Sequence, residues 1–226
     1  MPFRNAVWRS AGQFARCVEH KAESLRECVQ VKFRMQLATL PVEAFVDLIY
    51  SVYPTGQIRV DLDYKKAEGL PEIPEFGMLM PVKSSFSQLE FYGRGPTANY
   101  FDRKNGYKLG YYTNEVIDEF EVYLRPQESG THCDTRYFIV RDSKSDHGLI
   151  VTSIERPFNF SALPWTPYQI EEAQHPFEPP DYERTILKIN SEMMGVGGDD
   201  SWGAPVLEQF LVPNRDCHLS FVFQGF

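Results

Sequence analysis

The sequence predicts an all-β protein, one large antiparallel sandwich, on three observations. Apolar residues alternate strictly with polar ones, short apolar runs recur between clusters of Pro, Gly and Asp, and no run is spaced from the next by the crossover helix a parallel sheet requires. Val29, Val31, Phe33, Met35 and Leu37 alternate with Gln30, Lys32, Arg34 and Gln36, the two-residue period of a strand with one buried and one wet face. Ile58, Val60, Leu62 and Tyr64 do the same against Gln57, Arg59, Asp61 and Asp63. They come directly after Tyr53-Pro54-Thr55-Gly56, whose Pro and Gly suit a tight turn, so these runs read as a meander. Residues 89–92, 121–124, 136–140, 149–154, 185–189, 206–211 and 218–223 are the further predicted strands. The stretch 70–81, with Pro71, Pro74 and Pro81, reads as a long loop inside one domain. One short helix is predicted at Thr166-Pro167-Tyr168-Gln169, which places a capping Thr, a Pro at the first helical position and a Gln completing a capping box. It continues through Ile170-Glu171-Glu172-Ala173 and is expected to end at His175-Pro176.

At 226 residues the chain suits one large all-β unit. A chain of this size buries roughly 70–75% of its extended surface, so its core needs no covalent staples. Cys17, Cys28, Cys133 and Cys217 lack CxxC spacing and are too dispersed for a disulfide framework or a zinc site; buried thiols in a reducing cytoplasm are expected. Met1-Pro2-Phe3-Arg4-Asn5 does not open a signal peptide, and no apolar stretch approaches the roughly 18 residues of a bilayer span. A soluble, cytoplasmic protein without a membrane partner is expected. The net charge of −8, with Lys and Arg scattered, disfavours nucleic acid as a partner. Asn159-Phe160-Ser161 matches a glycosylation sequon, read as a chance match in a cytoplasmic chain.

The most informative run is Gly195-Val196-Gly197-Gly198-Asp199-Asp200-Ser201-Trp202-Gly203. Glycine-dense backbone can turn tightly and approach a neighbour closely, while Asp and Ser side chains tie off the freed amides, so such a loop can hold a large ring outward. That ring is Trp202, whose indole offers a broad apolar face to the C–H side of a sugar and an N–H to a polar partner. The competing reading is a core tryptophan packed under a hairpin. Trp8 and Trp165, which lack a glycine-rich frame, fit that role better. Gly197, Gly198, Asp199, Asp200 and Ser201 are read as loop-shaping residues.

Upstream lie Tyr92-Gly93-Arg94-Gly95-Pro96-Thr97-Ala98-Asn99-Tyr100-Phe101-Asp102-Arg103, then Arg125-Pro126-Gln127-Glu128-Ser129-Gly130, then Phe160-Ser161-Ala162. In this order and spacing the four runs resemble the C-terminal domain, or separately encoded small chain, of the glycoside hydrolase family 2 β-galactosidases. Asn5-Ala6-Val7-Trp8-Arg9-Ser10-Ala11-Gly12 is similar to the segment that joins the catalytic barrel to that domain. The resemblance covers nearly the whole chain and implies a galactose-mutarotase-like β-supersandwich, with residues 1–25 as linker and 26–226 as the sandwich domain. It also implies that both catalytic glutamates, with the Mg and Na sites, belong to the barrel, so that this chain binds no cofactor or metal and is inactive alone. The implied partners are that barrel or large chain and a β-galactoside such as lactose, hydrolysed with retention; homo-oligomers are compatible. Trp202 matches the tryptophan that forms a platform for the incoming disaccharide. Three departures stand out: Thr97 or Ala98 where the family has glutamate, Phe101 where it has proline, and Thr131-His132 where it has an asparagine-arginine pair.

Among the remaining candidates, Glu171-Glu172 and Asp199-Asp200 do not make an acid/base pair, because neighbours on a helix diverge by about 100° and carboxylates in a Gly-rich turn accept backbone amides. Arg94 and Arg103 are read as inter-domain ion pairs, with ligand clamping as the other role. On a strand His132 and Asp134 would share one face, the minimum for a metal or proton relay. His175 is read as a hydrogen-bonded helix terminus. A stand-alone sugar-binding module or mutarotase-like aldose epimerase is the second functional reading, with His175 and Glu208 as its candidate acid and base. Nothing in the sequence matches GxSxG, HExxH or a P-loop.

Overall fold

The computed structural model describes residues 3–200 and 203–226. Its strands are β1 (Arg16–Ser24), β2 (Val29–Leu37), β3 (Ala44–Val52), β4 (Ile58–Tyr64), β5 (Glu75–Lys83), β6 (Phe86–Gly95), β7 (Lys108–Glu115), β8 (His132–Thr135), β9 (Tyr137–Asp142), β10 (Gly148–Ser153), β11 (Phe158–Leu163), β12 (Arg184–Met193) and β13 (Cys217–Gly225). The α-helix α1 (Pro167–Glu172) lies between β11 and β12, and short 3-10 helices cover Phe3–Trp8, Lys104–Gly106, Val116–Glu119 and Glu208–Phe210. A nine-stranded sheet runs β1-β2-β3-β4-β13-β10-β9-β6-β7 and a four-stranded sheet runs β5-β12-β11-β8, all paired antiparallel. This is the large antiparallel sandwich the alternation predicts.

The inward residues of the two sheets meet in one core that holds Val60, Leu62, Leu89, Phe91, Phe138, Val140, Phe158, Phe160, Leu187, Ile189, Leu219 and Phe221. Phe138 of the large sheet stacks on Phe160 of the small one at 4.5 Å, and Phe91 meets Phe160 edge-on at 5.3 Å. Burying one such ring stabilises the fold by about 1.5–3 kcal/mol, so this cluster is a main source of inter-sheet cohesion. The alternation at 29–37 and 58–64 becomes β2 and β4, joined through β3 by the expected turn, where Gly56 adopts φ +85 and donates to Tyr53 O. The capping box forms as the sequence indicates: Gln169 N donates to Thr166 Oγ1 at 3.2 Å, and Thr166 N donates to Gln169 Oε1 at 2.9 Å. The helix stops at Ala173, two residues before the expected His175.

Several expectations fail, each for a local reason. Residues 121–124 are not a strand; they lie in the connection from Val116–Glu119 to β8, with Val122 and Leu124 turned to solvent at 73% and 94% exposure. Four alternating residues with no partner strand cannot form a ladder. Residues 206–211 are not a strand either, because Phe210 N donates to Leu207 O and closes the Glu208–Phe210 turn. The supposed loop 70–81 contains most of β5, whose Pro81 opposes Ile186. Proline is tolerated there because β5 is the edge of its sheet and owes no second ladder. Cys17 is exposed and Cys28 half-buried, so only Cys133 and Cys217 are buried thiols; all four cysteines are unpaired.

Candidate functional site

β6 delivers the first motif run to one end of the sandwich, and Asn99 fixes the turn that leaves it. The Asn99 side chain is fully buried and donates to Arg94 O at 2.9 Å and Thr97 O at 3.1 Å, while its Oδ1 accepts from Cys133 N at 3.0 Å. The Asn99 backbone N–H adds a bond to Thr131 O at 2.7 Å, so the 94–99 turn is bound to β8 by a group that has no water to fall back on. Arg94 Nε donates to Asp134 Oδ2 at 2.5 Å, and Lys104 Nζ donates to Asp134 Oδ1 at 3.0 Å. Burial acts to raise the Asp134 carboxyl, but these two cations outweigh it and hold it below the usual carboxylate range. Arg103 lies over the Tyr100 ring at 4.9 Å and pairs with Glu121 at 3.7 Å. Both arginines thus pair with carboxylates of this chain.

The second run is anchored from below. Glu128 accepts from Lys188 Nζ through both oxygens at 2.8 Å, from Thr131 Oγ1 at 3.0 Å and from Tyr100 Oη at 3.3 Å; Glu75 contributes a further oxygen 3.2 Å from Lys188. Lys188 is only 3% exposed. Burial alone would favour the neutral amine, yet the two carboxylates reverse that and raise its pKa above the ordinary lysine value. Sequence reading missed this lysine. Its signal was a lone cation in Thr185-Ile186-Leu187-Lys188-Ile189, a strand buried on both faces.

The glycine loop closes the cluster. Asp102 Oδ2 accepts from Val196 N at 3.1 Å and Gly197 N at 2.8 Å, and Gly195 N donates to Phe210 O at 2.9 Å. Close approach explains two of the glycines: a Cβ on Gly195 would lie 2.7 Å from Asp102 Cγ, and one on Gly198 would lie 2.1 Å from Ala204 O. Asp200 Oδ1 accepts from Ala204 N at 3.2 Å, spanning the loop. Asp199 is exposed. Ser201 and Trp202 lie outside the described residues.

The remaining candidates separate. His132 is fully buried between Phe91 and Phe160, with Nε2 on Glu119 Oε2 at 2.6 Å and Nδ1 on Arg94 O at 3.0 Å. Asp134 takes φ +53, which breaks the strand period and sends its carboxylate to Arg94 and Lys104 instead, so the two do not share a face as a relay requires. Among the described residues no group of three His, Cys, Asp or Glu is placed to hold a metal. His175 is exposed, bonded to Glu178 Oε1 at 2.6 Å and stacked on Phe177, and among the described residues no hydrogen bond or ion pair links it to Glu208. Glu171 lies 3.5 Å from Arg9 across the surface. Trp8 packs edge-on to Tyr64 at 6.1 Å, and Trp165 packs on Phe120 at 5.0 Å with its Nε1 donating to Pro180 O. Both take packing roles.

The class this architecture defines is a large antiparallel β-sandwich whose first motif run is bonded to the second through Tyr100 and Glu128 and to the glycine loop through Asp102, with no assembled acid pair among the candidates above. The chain belongs to the β-galactosidase small-chain family, whose model, described as "Beta galactosidase small chain", matches residues 2–223. It is 38% identical over 224 residues to a β-galactosidase of Streptococcus thermophilus, covering 99% of this chain and 22% of that protein. A β-galactosidase of Halalkalibacterium halodurans is 34% identical, with 98% of this chain and again 22% of the relative covered. The chain therefore spans about a fifth of the length of these curated relatives. A β-galactosidase small subunit of Latilactobacillus sakei is 30% identical, with 97% of this chain and 78% of that subunit covered. Among solved structures, a galactose mutarotase related enzyme from Lactobacillus acidophilus is similar at a TM-score of 0.44 and 11% identity, over 92% of this chain and 71% of that one.

Proposed function

We propose that this chain is the non-catalytic C-terminal portion of a glycoside hydrolase family 2 β-galactosidase, with the joining part of the 1–25 segment confined to the residues before Arg16, since Arg16–Ser24 pair with β2 as an edge of the sandwich. It packs on a catalytic barrel or large chain and completes a site that hydrolyses terminal β-D-galactosyl residues, lactose included, in the cytoplasm. The observation that carries the reading is the Asp102 contact with Val196 and Gly197, which brings the first and last motif runs together across 94 and 95 residues of sequence. Loops joined in this way bring residues distant in sequence onto one surface, and loops held by a scaffold are the usual place for binding residues.

In this reading the reacting carboxylates, and any Mg or Na, belong to the barrel. A retaining glycosidase needs two carboxyl groups about 5–5.5 Å apart with room for a sugar between them. The carboxylates of this cluster are committed otherwise: Glu128 to Lys188, Asp134 to Arg94 and Lys104, Asp102 to backbone amides. What the chain contributes is a ring. Trp202 covers the apolar face of the incoming disaccharide, and Gly197, Gly198, Asp199, Asp200 and Ser201 shape the loop that presents it. Trp202→Ala in the assembled enzyme is expected to raise KM for lactose about tenfold, with assembly intact on size exclusion, since loss of one stacking face removes about 1–2 kcal/mol. Loss of assembly with unchanged KM would show Trp202 to be a packing residue and overturn the reading.

A further inference from the structure

We infer that Asp102 is the positioning residue of the glycine loop: its carboxylate sets where the 195–203 segment leaves the sandwich and thereby where Trp202 is delivered. The inference rests on the reading of Trp202 as the sugar-facing residue, and its test separates the two.

Asp102 stands just beyond the 94–99 turn, in a bend closed by Arg103 N donating to Tyr100 O at 2.9 Å. It is held on a rigid base, because Asn99 ties the preceding residues to β8 and Tyr100 is buried at 1% exposure. From there one oxygen receives two successive backbone amides, Val196 N and Gly197 N, at 3.1 and 2.8 Å. Two N–H groups converging on an anion make a charge-assisted contact, stronger than an ordinary turn bond. The glycines fit this role: a Cβ at Gly195 would fall 2.7 Å from Asp102 Cγ, and one at Gly197 would fall 3.3 Å from Oδ2. A side chain at Gly195 would displace the carboxylate outright, whereas one at Gly197 would press on Oδ2 and require a shift of a few tenths of an ångström.

The other Asp102 oxygen is sealed from solvent and has no hydrogen-bond partner among the described residues. Among those residues the carboxylate therefore bonds to the loop alone. On the opposite side Gly195 N is held by Phe210 O, and Phe210 packs edge-on against Phe101, the neighbour of Asp102, at 5.6 Å. The loop base is thus gripped from two sides. Glycine-rich backbone loses much conformational entropy on ordering, so a loop released at its base must be ordered anew at each binding event. That cost falls equally on ground state and transition state, and so appears in KM and not in kcat.

The first arm of the test uses this chain alone. With Trp8 and Trp165 replaced by Phe, Trp202 is the single remaining tryptophan of the three, and acrylamide quenching of its emission reads the loop directly. Asp102→Ala is expected to raise quenching, Asp102→Asn to raise it less because an amide oxygen still accepts, and Gly195→Ala to reproduce Asp102→Ala. The double variant Asp102→Ala/Gly195→Ala is expected to be no worse than either single change, since both remove one contact. Unchanged quenching in a folded Asp102→Ala, or additive effects in the double variant, overturns the inference. If Asp102→Ala fails to fold, Asp102→Asn and Gly195→Ala carry the same comparison. The second arm places the variants in the assembled β-galactosidase, where KM is expected to rise about tenfold with kcat within about twofold. Altered quenching with unchanged KM leaves the positioning role standing and removes the sugar-facing reading of Trp202.

Discussion

Replacing Lys188 with Met probes the anchor beneath the motif cluster. Methionine keeps the length and the apolar stem and removes the charge, so Glu128 loses its two 2.8 Å bonds and Glu75 its 3.2 Å contact. Breaking a buried ion pair from one side costs about 3–5 kcal/mol, because the other charge remains without a partner. Here the carboxylates keep 28% and 37% side-chain exposure and can partly rehydrate, which places the loss near the lower end, about 3 kcal/mol. For a chain of this size each kcal/mol moves Tm by about 2–4 °C, so Lys188→Met is expected to melt about 6–12 °C lower by circular dichroism. The pH dependence has a definite sign. Carboxylates raise the folded Lys188 pKa, so its stabilisation is fully present below the unfolded lysine pKa of about 10.4 and is lost as pH rises through the higher folded value. The Tm gap between wild type and variant is therefore expected to be flat from about pH 6 to 9 and to narrow only in stronger alkali. A variant within about 1 kcal/mol of wild type at neutral pH, or a gap that closes by pH 9, would refute the reasoning.

Two further outcomes are expected from the same geometry. Asp134→Asn should cost about 2 kcal/mol at pH 7 in urea unfolding, through loss of two charge-assisted bonds. Because the folded Asp134 carboxyl lies below its ordinary value, that stabilisation is present above the unfolded pKa of about 3.9 and disappears as pH falls through the folded one, so wild type and variant are expected to converge in strong acid. Maleimide labelling in native buffer at about pH 7.5 is expected to modify exposed Cys17 first and to leave Cys133 and Cys217 unlabelled until urea is added. Burial pushes the latter two thiols up to about 12 and about 11, which removes the reactive thiolate; native labelling of Cys133 as fast as Cys17 would contradict the packing.

The sandwich was legible wherever one strand face is wet. β2 and β4 announce themselves because Lys32, Arg34, Arg59 and Asp61 alternate with apolar residues, which are buried in the core at Val60, Leu62 and Tyr64 of β4 but only half-buried at Val31, Phe33 and Met35 of β2. β1 did not, since nearly all of its side chains are exposed and no alternation is imposed on them; it lies inside the 1–25 segment read as linker and forms the edge of the large sheet. β3 reads Ala44-Phe45-Val46-Asp47-Leu48-Ile49, apolar on both sides of the pleat, which blurs the period. The site was legible as a set of motif runs but not as a contact map. Nothing in spacing says that Asp102 meets Val196 and Gly197, or that Glu128 meets Lys188, because long-range pairing is set by which strands become neighbours. The His132 and Asp134 expectation failed at a single dihedral, φ +53 at Asp134, where period-2 reasoning stops applying.

The central claim, that this chain completes an active site whose reacting acids lie elsewhere, is tested most directly by following lactose hydrolysis with three samples: this chain, a β-galactosidase catalytic part that lacks the matching region, and their mixture. The account predicts no turnover from the first, little from the second, and activity that appears on mixing and saturates at equimolar ratio. Turnover by the chain alone, or a mixture no faster than the catalytic part by itself, would contradict it.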